Sequence, residues 1–247
     1  MRPSIPAHPI SRRDLIRDTA TGVAALALGV ERTSAAPPPR PPNIDHLAAS
    51  GVRFLQAYAN SAVCSATRLA LITGRSQYRL RLGLEEPLAG NPGVGLDPSH
   101  PTLPSLLRKA GYGTTLVGKW HLGVLPKFGP LKSGYDHFWG FRGGAVDYYS
   151  HADPRNNDDL WDDDVPIQRA GYLTELLGDR AVEVVNGYAK TRRPFMLSLH
   201  LSAPHWPWEA PGDTAESARI RTIRGGLFHR DGGSQACGGG RLSRPSD

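Results

Sequence analysis

Three times along the middle of the chain, a stretch with apolar residues at helical spacing runs straight into a short apolar segment of strand character, and this order restricts the fold more than any other feature. In "NIDHLAASG", Ile44, Leu47 and Ala48 share one helix face and Gly51 ends it, after which "VRFLQAYA" reads as a strand. "TLPSLLRKAG" repeats Leu103, Leu106, Leu107 and Ala110 at helical spacing, with Thr102 as N-cap and Gly111 as terminator, and leads into the strand "YGTTLVGKW". "YLTELLGDRAVEVVNGYA" places Leu173, Leu176, Leu177, Ala181, Val184 and Val185 on one side and feeds the apolar "FMLSLHLS". This repetition predicts an α/β fold with a largely parallel sheet flanked by helices. In such folds chemistry gathers at the carboxyl ends of the strands.

Unusual polar residues stand at those ends. Lys119 and His121 follow "TTLVG", His205 follows "FMLSLHLSA", and a helix opened by Cys64 follows "LQAYANSAV". Between Gly134 and Gln168 no period is evident, so this region is expected to form loops and a small hairpin over the same edge. Within it "NNDDLWDDDVP" is read as a solvated loop instead of a carboxylate metal site, because consecutive aspartates repel and no apolar strand delivers them. From Thr214 the helical and strand patterns stop, and residues 214–247 are predicted to be an unstructured tail.

The formal charge of +6 comes from the two ends of the chain. Residues 1–40 hold six arginines against three acids, residues 214–247 hold six against three, and the middle holds seventeen of each sign. A nucleic-acid site needs cations clustered on one folded face, so no nucleic-acid partner is expected. The amino-terminal cations have another reading. "SRRDLIR", then the apolar "TATGVAALALGV", then the small residues "TSAA" resemble a twin-arginine export signal over residues 1–36, with a Pro-rich linker at 37–42. A frayed basic tail is the other reading of this segment. The apolar run is too short to span a bilayer, so the protein is expected to be exported to the periplasm or beyond and not to be transmembrane. With two cysteines there is no disulfide framework, and Cys237 lies in a Gly/Ser/Arg stretch that offers little to pack against, so Cys64 is expected to be unpaired.

A side chain at a helix start meets unpaired backbone N–H groups and the positive end of the helix dipole, which favour an anion. Arg68, one turn after Cys64, adds a fixed cation on the same face. An isolated C-x-x-x-R is common and unspecific, but "CSATRLALITGR" resembles the signature of the sulfatase family. "GYGTTLVGKWHLG" looks like the second signature of that family, and "APHWPW" is similar to its later histidine-bearing segment. "GYLTELLGDRAVEVV" also matches the helix before that segment.

The resemblance implies a partial alkaline-phosphatase-like sulfatase domain over residues 43–213, with its first strand and C-terminal part missing. It implies that Cys64 is oxidised to formylglycine by a formylglycine-generating or anaerobic sulfatase-maturing enzyme. The aldehyde hydrates to a gem-diol, of which one hydroxyl attacks sulfur and the other lets the ester collapse. It further implies that Arg68 holds diol and sulfate, that Lys119 and His121 bind sulfate and orient the diol, and that His205 contacts sulfate or protonates the leaving oxygen. Ser150 in "DYYSH" is placed near the sulfate by the same analogy. The implied cofactor is calcium, with Cys64 as formylglycine among its ligands; the carboxylate and amide ligands of the family are not recognisable in this sequence. The implied reaction is hydrolysis of a sulfate monoester, on a small molecule or a sulfated glycan. An inactive relative, or a hydrolase of phosphate or phosphonate esters, is the alternative.

Overall fold

A computed structural model describes residues 42–227. The export-like segment and the linker up to residue 41 lie outside the described residues, as does the chain from residue 228 with Cys237. The chain divides into two compact units, residues 1–57 and 58–247. In the first, α1 (Pro42–Ser50) forms as its spacing predicts. The strand expected from "VRFLQAYA" does not form. Strand hydrogen bonds run between segments, so β-propensity alone does not make a strand; among the described residues this segment joins no sheet, and Val52, Phe54 and Leu55 are exposed.

The second unit runs α2 (Cys64–Thr73), α3 (Leu103–Lys109), β1 (Gly113–Lys119), β2 (His137–Phe141), β3 (Trp161–Asp162), β4 (Val165–Pro166), α4 (Leu173–Thr191), β5 (Phe195–His200) and α5 (Thr214–Leu227). The sheet order is β4-β3-β2-β1-β5. β1 pairs in parallel with both β2 and β5, with Val117 opposite Trp139 and Leu199. The hairpin β3–β4 adds antiparallel strands beyond β2.

Alternation along the strands divides the core into two layers. Leu116 and Phe138 face Leu69 and Ile72 of α2, together with Trp120 and Tyr135. Val117, Trp139 and Phe141 face Leu173 and Leu177 of α4. With helices on both faces, every residue of β1 is buried. Thr102 caps α3 reciprocally with Ser105: the Ser105 amide donates to Thr102 Oγ1 at 3.2 Å and the Thr102 amide to Ser105 Oγ at 2.9 Å.

Two elements depart from the sequence-based expectations. β2 lies where loops were predicted, because "HFWGF" has no helix before it to mark it as a sheet strand. The segment from Thr214, predicted to be unstructured, forms α5 as far as Leu227. Its anchorage is polar, which leaves no hydrophobic period to read: Ser217 Oγ donates to the buried Asp147 at 2.8 Å. Ile220 is the one large apolar side chain it buries among the described residues.

Near the carboxyl edge, Gly140, Gly118 and His200 form one row across three strands. Gly118 has a φ of +109°, and a Cβ there would fall 2.0 Å from the His200 carbonyl oxygen. Gly118→Ala is therefore expected to destabilise the protein by about 2 kcal/mol or more. Gly178→Ala in α4, where a Cβ meets nothing within 4 Å, is expected to stabilise it by up to ~1 kcal/mol. Urea denaturation of the two variants side by side checks both.

Candidate active site

The site begins where α2 begins. Val63, its N-cap, has extended backbone and offers no side-chain cap, so the first helical N–H groups meet no capping oxygen from it. Ser65, Ala66, Leu69, Ala70 and Ile72 are buried. That packing fixes the rotation of the helix, and with it the directions of Cys64 and Arg68. Arg68 Nη1 donates to the Lys119 carbonyl at 2.8 Å and lies 2.9 Å from His200 Nδ1. The end of α2 is thus tied to the ends of both β1 and β5.

Lys119 closes β1 and is 2% exposed, with Nζ donating to the Gly144 carbonyl. Burial pushes its ammonium down to about 8; Cys64 favours the charged form and Arg68 opposes it. His121 reaches the same place from beyond the strand. The strand ends at Lys119, and His121 takes a left-handed φ of 57°, so a turn and not strand alternation aims its ring. Nδ1 then lies 3.3 Å from Cys64 Sγ, and Nε2 lies 3.0 Å from the Leu88 carbonyl. A carbonyl only accepts, so Nε2 carries the proton and Nδ1 accepts from the thiol. Burial, reinforced by Lys119, lowers His121 to about 4 and keeps the ring neutral near pH 7. Gly144 permits this crowding: a Cβ there would sit 2.9 Å from His121 Cε1 and Nε2.

His205 lines the same cavity, of about 590 Å3, with Cys64, His121, Arg142, Gly144 and Trp161. Its Nδ1 lies 2.7 Å from the Trp206 carbonyl, which assigns the proton of the neutral ring to Nδ1. The backbone that carries it is held by tyrosines. Tyr148 Oη donates to the His205 carbonyl at 3.0 Å, Tyr172 Oη to that of Glu209 at 2.8 Å, and Tyr149 Oη to that of Ala210 at 2.9 Å. The "DYYS" segment contributes through these tyrosines, while Ser150 does not join the cavity. Its amide donates to Asp147 at 2.8 Å, and it lines a separate hollow with His151, Gln168 and Arg221.

The structure therefore brings together Cys64, Arg68, Lys119, His121 and His205 and leaves Ser150 apart. It adds His200, which the sequence reading passed over as a strand residue. Burial and the Arg68 charge lower His200 to about 4. Burial also pushes Arg68 down from its ordinary value, against the influence of Cys64. Near pH 7 the cradle carries two cations, Arg68 and Lys119, beside two neutral imidazoles, His121 and His200.

A hard cation such as calcium takes six to eight oxygen ligands. Among the described residues no group of three or more His, Cys, Asp or Glu side chains stands ready to hold a metal ion. Cys64 is surrounded by nitrogen donors and cations. Asp159, on the cavity wall, already accepts from the Arg142 amide at 3.0 Å, the Gly143 amide at 2.7 Å and Trp161 Nε1 at 2.7 Å. The described side chains do not by themselves make up the oxygen-rich set that the implied calcium requires. Asp159 also corrects the reading of the aspartate run as a solvated loop, since it is 8% exposed. Asp163 and Asp164 are likewise engaged, accepting from the Phe138 amide at 2.8 Å and from Arg142 Nη2 at 2.6 Å. A second groove of about 620 Å3, by Tyr188, His137 and Arg193 at the amino ends of β1 and β2, includes neither Cys64 nor any of the residues gathered around it.

Comparison with known proteins identifies the family. The chain is 32% identical over 167 residues to the N-acetylglucosamine-6-O-sulfatase of Bacteroides thetaiotaomicron, covering 68% of this chain and 26% of that protein. It is 41% identical over 184 residues to human N-acetylgalactosamine-6-sulfatase, covering 67% of this chain and 35% of that one. The crystal structure of Ps i-CgsB superposes with a TM-score of 0.61 at 29% identity, covering 74% of this chain and 43% of the other. The chain thus spans about a quarter to a third of the length of these curated relatives. The family model for sulfatases matches residues 31–226, which include every element that builds the Cys64 cavity, and the chain belongs to the sulfatase family.

Proposed function

We propose that this chain carries the nucleophile and the anion cradle of a sulfate monoester hydrolase, with Cys64 as the precursor of formylglycine. The observation that carries the reading is the convergence on Cys64 of Arg68 from α2, Lys119 and His121 from the end of β1, and His205 after β5. The hydrated aldehyde made from Cys64 supplies an oxygen nucleophile that a thiol does not. Cys64 is half-buried and is the free cysteine among the described residues, which suits a side chain to be altered by a maturing oxidase of the formylglycine-generating or anaerobic type.

The remaining roles follow from charge and protonation. A sulfate monoester is an anion, and negative charge grows on the leaving oxygen as its bond to sulfur breaks. Arg68 and Lys119 supply two positive charges in a desolvated place, where they act more strongly than in water. His121, neutral and with its proton on Nε2, presents Nδ1 as an acceptor to a hydroxyl at position 64. His205 has its Nδ1 proton engaged by the Trp206 carbonyl, so it can give a proton to the leaving oxygen from Nε2 only after that nitrogen has itself taken up a proton. The sulfated-sugar names of the relatives support a sulfated glycan or a smaller sulfate ester as substrate. The arginine pair and apolar run of residues 1–36 support export in a twin-arginine manner, and no described helix is long and apolar enough to cross a membrane. A second reading, an anion-binding fragment without turnover, is supported by the lack of a metal-holding group among the described residues.

Purification from a host that performs the oxidation, followed by mass spectrometry of the Cys64 peptide, is expected to show replacement of the thiol by an aldehyde; an unmodified thiol counts against the reading. Hydrolysis of an aryl sulfate is expected to fall about a thousandfold or more in Cys64→Ala. Equal rates in the two proteins would support the fragment reading, and a preference for the matched aryl phosphate would support a phosphate ester hydrolase. Affinity for inorganic sulfate, followed by calorimetry, is expected to decline as pH rises through about 8, because Lys119 is charged below that value and neutral above it. Lys119→Gln is expected to bind sulfate more weakly at pH 7 and to lose this alkaline decline.

A further inference from the structure

His200 lies 2.9 Å from Arg68 Nη1 and 3.1 Å from the Lys119 carbonyl, both distances measured from the same ring atom, Nδ1. One nitrogen cannot serve both neighbours. A guanidinium only donates and a carbonyl only accepts, so Nδ1 is either an acceptor for Arg68 or a donor to Lys119. The Lys119 carbonyl already receives Arg68 Nη1 at 2.8 Å, and the Arg68 contact to Nδ1 is the shorter of the two. A protonated Nδ1 would also set one donor against another at that distance. Gly118, paired with His200 across the sheet, fixes the backbone from which the ring projects.

We propose that His200 is a positioning residue, a neutral imidazole with its proton on Nε2, whose Nδ1 accepts from Arg68 and orients the guanidinium without cancelling its charge. This rests on the reading of the Cys64 cavity as a sulfate-ester site. A buried arginine is ordinarily met by a carboxylate. Here no carboxylate is paired with Arg68 among the described ion pairs, and the acceptors are a carbonyl and an imidazole. Neutral acceptors fix direction and leave the positive charge for an incoming anion, whereas a carboxylate would compete with that anion. The depression of His200 to about 4 agrees with a ring that stays neutral beside a permanent cation.

Long-range nitrogen–proton NMR on the ring of His200 at pH 7 decides the tautomer without reference to catalysis. Protonated Nε2 with bare Nδ1 is expected; a proton on Nδ1, alone or on both nitrogens, overturns the proposal. The second measurement is affinity for inorganic sulfate in His200→Leu and His200→Asn, the latter keeping an acceptor oxygen near the place of Nδ1. The leucine variant is expected to bind about tenfold more weakly, the size of one lost hydrogen bond to a charged group, and the asparagine variant to recover most of that loss. Unchanged affinity in His200→Leu, or equal loss in both folded variants, overturns the positioning role. If His200→Leu fails to fold, recovery in His200→Asn and the tautomer carry the decision. If the unsubstituted protein binds no sulfate, the sulfate-ester reading fails while the tautomer still judges the Arg68–His200 contact.

Discussion

The site depends on β1 being paired in parallel on both sides and covered on both faces. A strand buried in this way has its main-chain groups within the sheet committed to neighbours, and the first groups free to do something else are those at its carboxyl end. The Lys119 carbonyl is such a group, and it receives the Arg68 guanidinium. One interaction therefore joins the helix that carries Cys64 to the strand that carries Lys119 and His121. The same row of the sheet brings β5 close enough for His200 to complete the arrangement.

Charge in the cradle follows from burial more than from the number of basic residues. His121 and His200 are lowered to about 4 by desolvation, with Lys119 and Arg68 respectively adding to the effect. Lys119 is lowered as well, but only to about 8, so it keeps its proton at neutral pH. Burial thus separates residues that a count of basic side chains treats alike: two remain charged to attract an anion, and two become neutral hydrogen-bonding groups.

Much of this was legible in the sequence, and the failures have physical causes. Helices α3 and α4 and strands β1 and β5 were marked by periodicity and by caps such as Thr102, and the motif order pointed to Cys64, Arg68, Lys119, His121 and His205. "VRFLQAYA" has the composition of a strand but joins no sheet among the described residues, and pairing is not encoded locally. β2 was hidden because it follows a loop instead of a helix. α5 was hidden because its anchorage is Ser217 to Asp147, a polar contact between residues far apart in sequence. His200 escaped notice since a histidine within an apolar run carries no signal of its own; only the register opposite Gly118 places it beside Arg68. Ser150 was drawn in by its motif, yet the tyrosines beside it make the contacts that matter to the cavity.

Those tyrosines have a consequence for variation. Tyr148, Tyr149 and Tyr172 grip the segment from His205 to Ala210 through main-chain carbonyls, which every amino acid possesses. The arm is thus moored independently of what it displays, and an outward side chain such as Trp208, 78% exposed, can be exchanged without loosening the mooring. Lineages sharing this framework are free to diversify the rim while the imidazole at its base keeps its station.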